Sequence, residues 1–344
     1  MNTAVFAIPG DKDRRTGGFI YEATVLRVLN EIGCDVRHVQ LPDTFPAPTA
    51  PDMAETLRVL RAIPPQTPIL LDGLVFGAID PGGLAQVSAP VIAMLHHPLG
   101  LEAGLPPERA AFLRANERAA LVHAAHVVVT SPETKRLYVA EFGVEPERIT
   151  VVLPGFDRPL VDRRVADPPL ILSVGLLAPR KGHDVLLKAL AQMVDLPWQA
   201  RIVGKAHDPD FAAALVSSQA ELGLENRVTF AGELARLEPE FNAATIFALA
   251  TRYEGYGMVL SEAMFYGLPI VTCRVGAVPD TAADAALLVG AEDAEGFAAA
   301  LRAVLTQPAL AQDLSARALR RAATLPRWED SARAVAGVIE RVRG

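Results

Sequence analysis

The chain has 344 residues, more than one ordinary core holds, and 51% of them are hydrophobic, so two domains built on buried sheets are expected. Its formal net charge is −7, and the parts up to and beyond residue 167 carry 16 basic against 20 acidic and 17 against 20 residues. Neither part has the electrostatic footprint of a nucleic-acid binder, and no polybasic run announces an anionic membrane surface. Cys34 and Cys273 lie far apart beside short apolar segments, which suggests neither a zinc site nor a disulfide framework.

Short apolar runs alternate with helical patterns. The opening residues Met1–Gly10 carry no charged leader, and their apolar run is too short for a signal peptide; Thr3–Ile8 reads as a first strand. No stretch reaches the ~20 apolar residues of a spanning helix, and a cytoplasmic location is expected. Tyr21–Ile32 follows as a helix with Val25, Leu26, Leu29 and Ile32 on one face. Val36–Gln40, Ile69–Leu71, Val91–Leu95 and His126–Thr130 read as strands, and Glu108–His123 and Pro132–Phe142 as helices. Such alternation predicts a parallel sheet with crossover helices. Leu153-Pro154-Gly155-Phe156-Asp157 then opens a stretch rich in Pro, Asp and Arg that closes at Asp167-Pro168-Pro169, the composition of an interdomain linker.

The alternation restarts. Leu170–Val174, Ala200–Val203, Val228–Phe230, Ile246–Leu249 and Pro269–Thr272 read as strands; Gly182–Met193, Met258–Tyr266, Ala294–Leu305 and the closing Trp328–Val342 read as helices. The expected fold is α/β, with two Rossmann-like doubly wound domains over residues 1–160 and 168–325. A cleft between the carboxyl ends of their sheets is where ligands usually bind.

Two glutamates stand eight residues apart in Thr251-Arg252-Tyr253-Glu254-Gly255-Tyr256-Gly257-Met258-Val259-Leu260-Ser261-Glu262. On one helix they would be about 80° out of phase. The glycines at 255 and 257 instead predict Glu254 in a loop and a helix after it. A free carboxylate and bare amides at a helix start suit a polyhydroxylated, phosphate-bearing ligand. Glu262 sits among Val259, Leu260, Ala263, Met264 and Phe265 and needs a partner there: a ribose hydroxyl, or an arginine from elsewhere.

Ser173-Val174-Gly175-Leu176-Leu177-Ala178-Pro179-Arg180-Lys181-Gly182-His183-Asp184 is a strand end, a turn and a helix start. Arg180 and Lys181 lie at the positive end of that helix, which is unfavourable without an anion; Asp184 offsets part of this and a bound diphosphate more. Two solvated surface cations are the plainer reading. In the first half, the strand Val91–Leu95 ends in His96-His97-Pro98, whose neighbouring side chains point to opposite faces and do not suit one metal. Arg15-Thr16-Gly17-Gly18-Phe19-Ile20-Tyr21 pairs two glycines before the first helix, which lets a loop approach a ligand closely. It is not Gly-x-Gly-x-x-Gly, which weighs against a dinucleotide dehydrogenase.

The segment from Glu254 to Glu262 resembles the glutamate–seven–glutamate motif of the family-4 retaining glycosyltransferases, which have the GT-B fold. Gly267-Leu268-Pro269-Ile270-Val271 and Gly276-Ala277-Val278-Pro279-Asp280 resemble that family too. The likeness covers nearly the whole chain and is tightest over residues 170–280. It implies that Glu254 contacts the donor sugar and Glu262 the ribose. The amides around Gly255, Tyr256, Gly257 and Met258 would serve sugar and phosphates. Arg180 and Lys181, beside Gly175, would bind the diphosphate and stabilise the leaving group. Gly17 and Gly18 would flank the donor phosphates and the acceptor, and His96 the reacting sugar. Phe230-Ala231-Gly232-Glu233-Leu234 resembles the strand end that meets the nucleobase. The last helix, within residues 326–344, would cross back to the first, acceptor-binding domain. The chain departs from the family at Leu176, where many relatives carry an arginine.

The implied reaction is transfer of a hexose, with retention, from a nucleotide sugar (UDP-glucose or GDP-mannose) to a hydroxyl of a glycan, lipid or metabolite. The nucleotide sugar is a substrate, and no cofactor or essential metal is expected. A phosphorylase or epimerase on the same fold, or a two-domain binding protein, are the competing readings.

Overall fold

Ile69-Leu70-Leu71 and Val91–Leu95 are apolar without alternation, the pattern of strands covered by helices on both faces. The computed structural model describes residues 3–343 and divides the chain into two units, each built on one parallel sheet. One unit runs to Asp157 and takes in the residues from Pro326 on; the other is Arg158–Leu325. Met1, Asn2 and Gly344, included in the expected domain spans, lie outside the described residues. Among the described residues no helix is long and apolar enough to cross a membrane.

In the first unit β1 (Thr3–Pro9), β2 (Asp35–Leu41), β3 (Ile69–Asp72), β4 (Val91–Leu95), β5 (His126–Val129) and β6 (Ile149–Val151) pair in the order β2-β1-β3-β4-β5-β6, all parallel. The winding direction reverses between β1 and β3. Connections leaving those two strands diverge there and open a crevice at their carboxyl ends. The helix Gly17–Glu31 buries Tyr21, Val25 and Leu29, and the last helix, Trp328–Arg343, packs against it. The Tyr21 hydroxyl donates to the Val152 carbonyl at 3.1 Å, and Ser331 to that of Leu153 at 2.7 Å. Gly155 passes so close to the Trp328 backbone that any Cβ would overlap it. The Pro-Gly end of the expected linker is therefore part of the wall of the first unit.

In the second unit β7 (Leu170–Val174), β8 (Gln199–Val203), β9 (Val228–Gly232), β10 (Ile246–Leu249), β11 (Ile270–Cys273) and β12 (Ala286–Val289) pair in the order β12-β11-β10-β7-β8-β9, all parallel. Counted from β7 this is the doubly wound order 3-2-1-4-5-6, and it reverses between β7 and β10. The rest of the expected linker is not loose. Arg164 N–H donates to Asn242 O at 3.0 Å and Ala166 N–H to Ala243 O at 2.9 Å. The Arg163 guanidinium donates to the Phe241 and Ala244 carbonyls, at the end of the helix Glu238–Ala243 where such groups lack helical partners.

Two kinds of element escape the sequence pattern. The helix Ala50–Arg61 buries only Thr56, Leu57 and Leu60, too narrow a stripe to register, although Thr49 and Asp52 form a capping box at its start. β12 is an edge strand, half-buried along its length.

Glu117, on the helix Pro107–Leu121, is fully buried and clamps the segment after β4: Leu99 N–H donates to its Oε2 at 3.2 Å, and the Tyr138 hydroxyl to its Oε1. Burial pushes its carboxyl up to about 7, against hydrogen bonds from Tyr138 and Leu99 that favour the charged form. Between the ordinary carboxylate range and pH 7 the unfolded chain releases this proton and the folded chain keeps it. Stability is thus fully present at low pH and falls as pH rises, by up to about 1.4 kcal/mol per unit for this one group. Urea midpoints should therefore drop between pH 5 and pH 7.5 more in the wild-type protein than in Glu117→Gln; equal drops would remove Glu117 as the cause.

Candidate active site

The turn after β7 is shaped by two glycines, Gly175 and Gly182. Pro179–Lys181 forms one 3-10 turn, and Gly182, in the left-handed region at φ 63°, caps the helix His183–Ala191. A Cβ on Gly182 would strike the Ala250 carbonyl at the end of β10. Gly175 lies beneath the stem of Lys181, so a Cβ there would come 3.2 Å from Lys181 Cδ. The His183 ring, fully buried and held neutral by that burial, lies 3.3 Å by its Nε2 from the Gly175 carbonyl, which can only accept. The strand end is thus pinned from below, and Arg180 and Lys181 project from it.

They meet Glu254 from the turn after β10, on the other side of the reversal. Lys181 Nζ lies 2.6 Å from Glu254 Oε1, and Arg180 Nη1 lies 3.6 Å from Oε2. Thr251 Oγ1 donates to Oε1 at 3.0 Å, and Arg180 Nη1 to the Tyr253 carbonyl at 3.0 Å. Glu254 is only 5% exposed. Burial works to raise its carboxyl; the Lys181 and Arg180 charges and the hydrogen bonds from Lys181 and Thr251 outweigh it and hold the group below the ordinary range. The expectation of a free carboxylate is corrected: Glu254 is an ion-paired anion. Asp184 does not offset Arg180 and Lys181 either, because both of its oxygens accept from Arg252, at 3.0 and 2.8 Å.

Beyond Glu254 the loop is held by its neighbours. Ala277 N–H donates to the Glu254 carbonyl at 2.9 Å, and Thr281 Oγ1 to that of Tyr256 at 2.6 Å. Tyr256 is buried, so the loop offers backbone there, not its ring. Gly257, at φ 85°, caps the helix Met258–Phe265 with no side-chain bond, so the first amides of that helix have no capping oxygen. Glu262, half-buried on the same helix, makes no hydrogen bond or ion pair with any described residue. Burial, with Glu238 nearby, pushes its carboxyl up to about 7. The arginine partner considered from sequence is absent among the described residues. Leu234 follows β9 on the same carboxyl edge and packs partly buried against the core; Leu176 is half-buried after β7.

The remaining candidates lie in the first unit. Gly17 and Gly18 form the first turn of the helix Gly17–Glu31, not a loop before it, and its N-cap Thr16 makes no side-chain bond. A Cβ on Gly18 would come 3.2 Å from His96 Cδ2, so the glycine lets the ring lie on the helix start. His96 Nε2 is 3.3 Å from Glu22 Oε1 and His97 Nε2 is 2.8 Å from Glu102 Oε2, so the two histidines face different partners. Among the described residues no group of three or more His, Cys, Asp or Glu is placed to hold a metal ion. Glu22 and Asp72, buried beside His96, were not singled out from sequence; the available signal was a carboxylate inside an apolar helix face and another closing an apolar strand.

Residues 168–307 match the family described as glycosyl transferases group 1, and residues 73–158 that described as glycosyltransferase family 4. The D-inositol 3-phosphate glycosyltransferase of Rhodococcus opacus is 32% identical over 256 residues, 68% of this chain and 57% of that protein. Its counterpart in Kineococcus radiotolerans is 34% identical over 239 residues, 59% of this chain and 54% of that protein. The chain thus spans little more than half the length of these relatives. Sucrose-phosphate synthase from Thermosynechococcus elongatus has a similar fold, with a TM-score of 0.82 at 22% identity over 98% of each chain. So has Anabaena HepE in complex with UDP-glucose, with a TM-score of 0.76 at 19% identity over 98% of this chain and 99% of that one.

The ion pair at 2.6 Å makes a prediction that needs no ligand. Removing one member of a buried pair costs up to about 3–5 kcal/mol, less here because Arg180 and Thr251 still face Glu254. Lys181→Met should therefore lower the unfolding free energy by less than that, and adding Glu254→Gln should restore part of it. Additive losses in a double-mutant cycle would show that the two groups do not interact.

Proposed function

The chain belongs to the group 1, family 4 glycosyltransferases, and from that premise we propose that it moves a hexose from a nucleoside-diphosphate sugar to a hydroxyl acceptor with retention at the anomeric carbon. The observation that carries the reading is the meeting of Arg180, Lys181 and Glu254 across the reversal between β7 and β10, where doubly wound sheets bind nucleotides. Arg180 and Lys181 stand beside the start of the helix His183–Ala191, where cations and amides together favour an anion. A diphosphate there meets preformed positive charge as its bond to the sugar breaks, which stabilises the leaving group without reorganisation.

Glu254, fixed as an anion, accepts from sugar hydroxyls and sets the orientation of the ring. Glu262 has no partner among the described residues and takes the ribose hydroxyls, which supply the donors its carboxyl lacks. The acceptor hydroxyl attacks on the leaving-group side and its proton passes to the departing phosphate. No second carboxylate is required, in contrast to hydrolases that work with a carboxylate pair. UDP-glucose is the favoured donor, since UDP-glucose is what the Anabaena structure of similar fold holds. The diphosphate charge is met by side chains and amides, so turnover is expected to survive chelation of divalent metals.

A thermal-shift series with UDP, GDP, ADP and their sugars, with and without magnesium, tests the donor site. A nucleotide at about 100 times its dissociation constant stabilises by about 2.7 kcal/mol. UDP and UDP-glucose should raise the midpoint with or without the metal, and no shift with any nucleotide would sink the proposal. Release of UDP from UDP-glucose should fall on the order of a hundredfold or more in Glu254→Ala and Lys181→Met, the size of effect that loss of one preorganised charge partner has elsewhere.

A further inference from the structure

The first unit buries a second set of titratable side chains at its own winding reversal. Glu22 projects from the helix Gly17–Glu31, Asp72 closes β3 and His96 follows β4. Glu22 is 0% exposed and Asp72 4%. Glu22 Oε1 lies 3.3 Å from His96 Nε2, while Glu22 Oε2 is buried with no hydrogen-bond partner. Asp72 Oδ1 accepts from Leu74 N–H at 2.7 Å and Val75 N–H at 3.3 Å. The His96 ring is fixed on two further sides, by Gly18 beneath it and by Tyr21, edge-on with ring centres 5.4 Å apart. Its side chain is 23% exposed, and its Nδ1 bonds to no described group.

We propose that Glu22, supported by Asp72, is a positioning residue for His96: it accepts the Nε2–H, so that the ring meets its ligand through Nδ1, as a hydrogen-bond acceptor for a hydroxyl. The placement of protons follows from which atoms are satisfied. Two carboxyl groups buried side by side are costly with two charges and hold one proton between them. With that proton on Asp72 or on Glu22 Oε2 alike, Glu22 Oε1 is left to accept from the ring. Asp72 Oδ1 already accepts two amides, which fixes its carboxyl beside Glu22. Burial pushes Glu22 up to about 8 and raises Asp72 as well, with the Glu22 charge adding to it, so the pair keeps one proton at neutral pH. Burial lowers His96, which stays neutral with a single ring N–H despite the opposing charge of Asp72. With that N–H on Nε2, the Nδ1 lone pair is left to accept. Only the nature of the ligand, a sugar or acceptor hydroxyl, rests on the proposed transfer reaction.

Glu22→Gln keeps an acceptor oxygen for the ring N–H; Glu22→Met keeps the volume and removes the acceptor. With 15N-labelled histidine, the His96 ring N–H, assigned by its loss in His96→Asn, should give a signal slowed in exchange in the wild-type protein and in Glu22→Gln. It should be lost to exchange in Glu22→Met, with circular dichroism confirming that both variants fold. Persistence of the signal unshifted in folded Glu22→Met, or its loss in folded Glu22→Gln, would overturn the proposal. This readout needs no substrate, so it fails independently of the sugar-transfer reading. In UDP release from UDP-glucose, kcat should fall in Glu22→Met on the order of tenfold to a hundredfold, as for other residues that orient a ring through its second nitrogen, and recover in Glu22→Gln. Equal kcat in Glu22→Met and wild type would overturn the orienting role.

Discussion

In each sheet every strand runs the same way, so all the connections that follow strands leave from one edge. This single constraint decides where chemistry can sit. Parallel strands are buried on both faces and offer side chains to nothing but helices, so ligand-facing groups collect on the turns at the carboxyl edge. The reversal of winding then selects among those turns. In the second unit it falls between β7 and β10, and the turns that follow them carry Lys181 and Glu254, 73 residues apart in sequence and 2.6 Å apart in space. In the first unit it falls between β1 and β3, and Gly18, Glu22 and Asp72 gather there with His96 from the next strand.

The carboxyl groups at these edges are unequally charged. Glu254 has two cations and a hydroxyl against it and stays ionised despite burial. Glu262 and Glu22 have no cation against them, and burial raises both. The difference is a matter of partners: the desolvation penalty is overcome in one case and left standing in the others. A fold can thus hold an ionised carboxyl and a protonatable one within a single turn and the helix that follows it.

Much of this was legible in the sequence, for reasons that can be named. Gly182 and Gly257 mark the two helix starts because glycine takes left-handed backbone angles without strain, and they frame Lys181 and Glu254. Apolar runs gave the buried strands, and their alternation with helices gave the parallel sheets. What could not be read was pairing at a distance. The partner of Asp184 is Arg252, 68 residues on, and no local pattern separates that choice from Lys181. The linker looked loose because Pro, Asp and Arg favour coil, yet Arg163 ties it to the end of a helix 78 residues away. Glu22 was hidden by its own helix: one polar residue on an apolar face reads as noise until a strand end supplies Asp72 beside it.

The last helix belongs to the first unit, so the second unit is an insertion within the first. During vectorial synthesis the first unit cannot bury Trp328, or close the wall that Gly155 and Ser331 form, until the whole second unit has been made. Residues 158–325 form one uninterrupted stretch and can collapse on emergence, whereas the first unit, begun before them, can be finished only after them. A nascent chain arrested short of Trp328 would hold a finished second unit beside an unsealed first one.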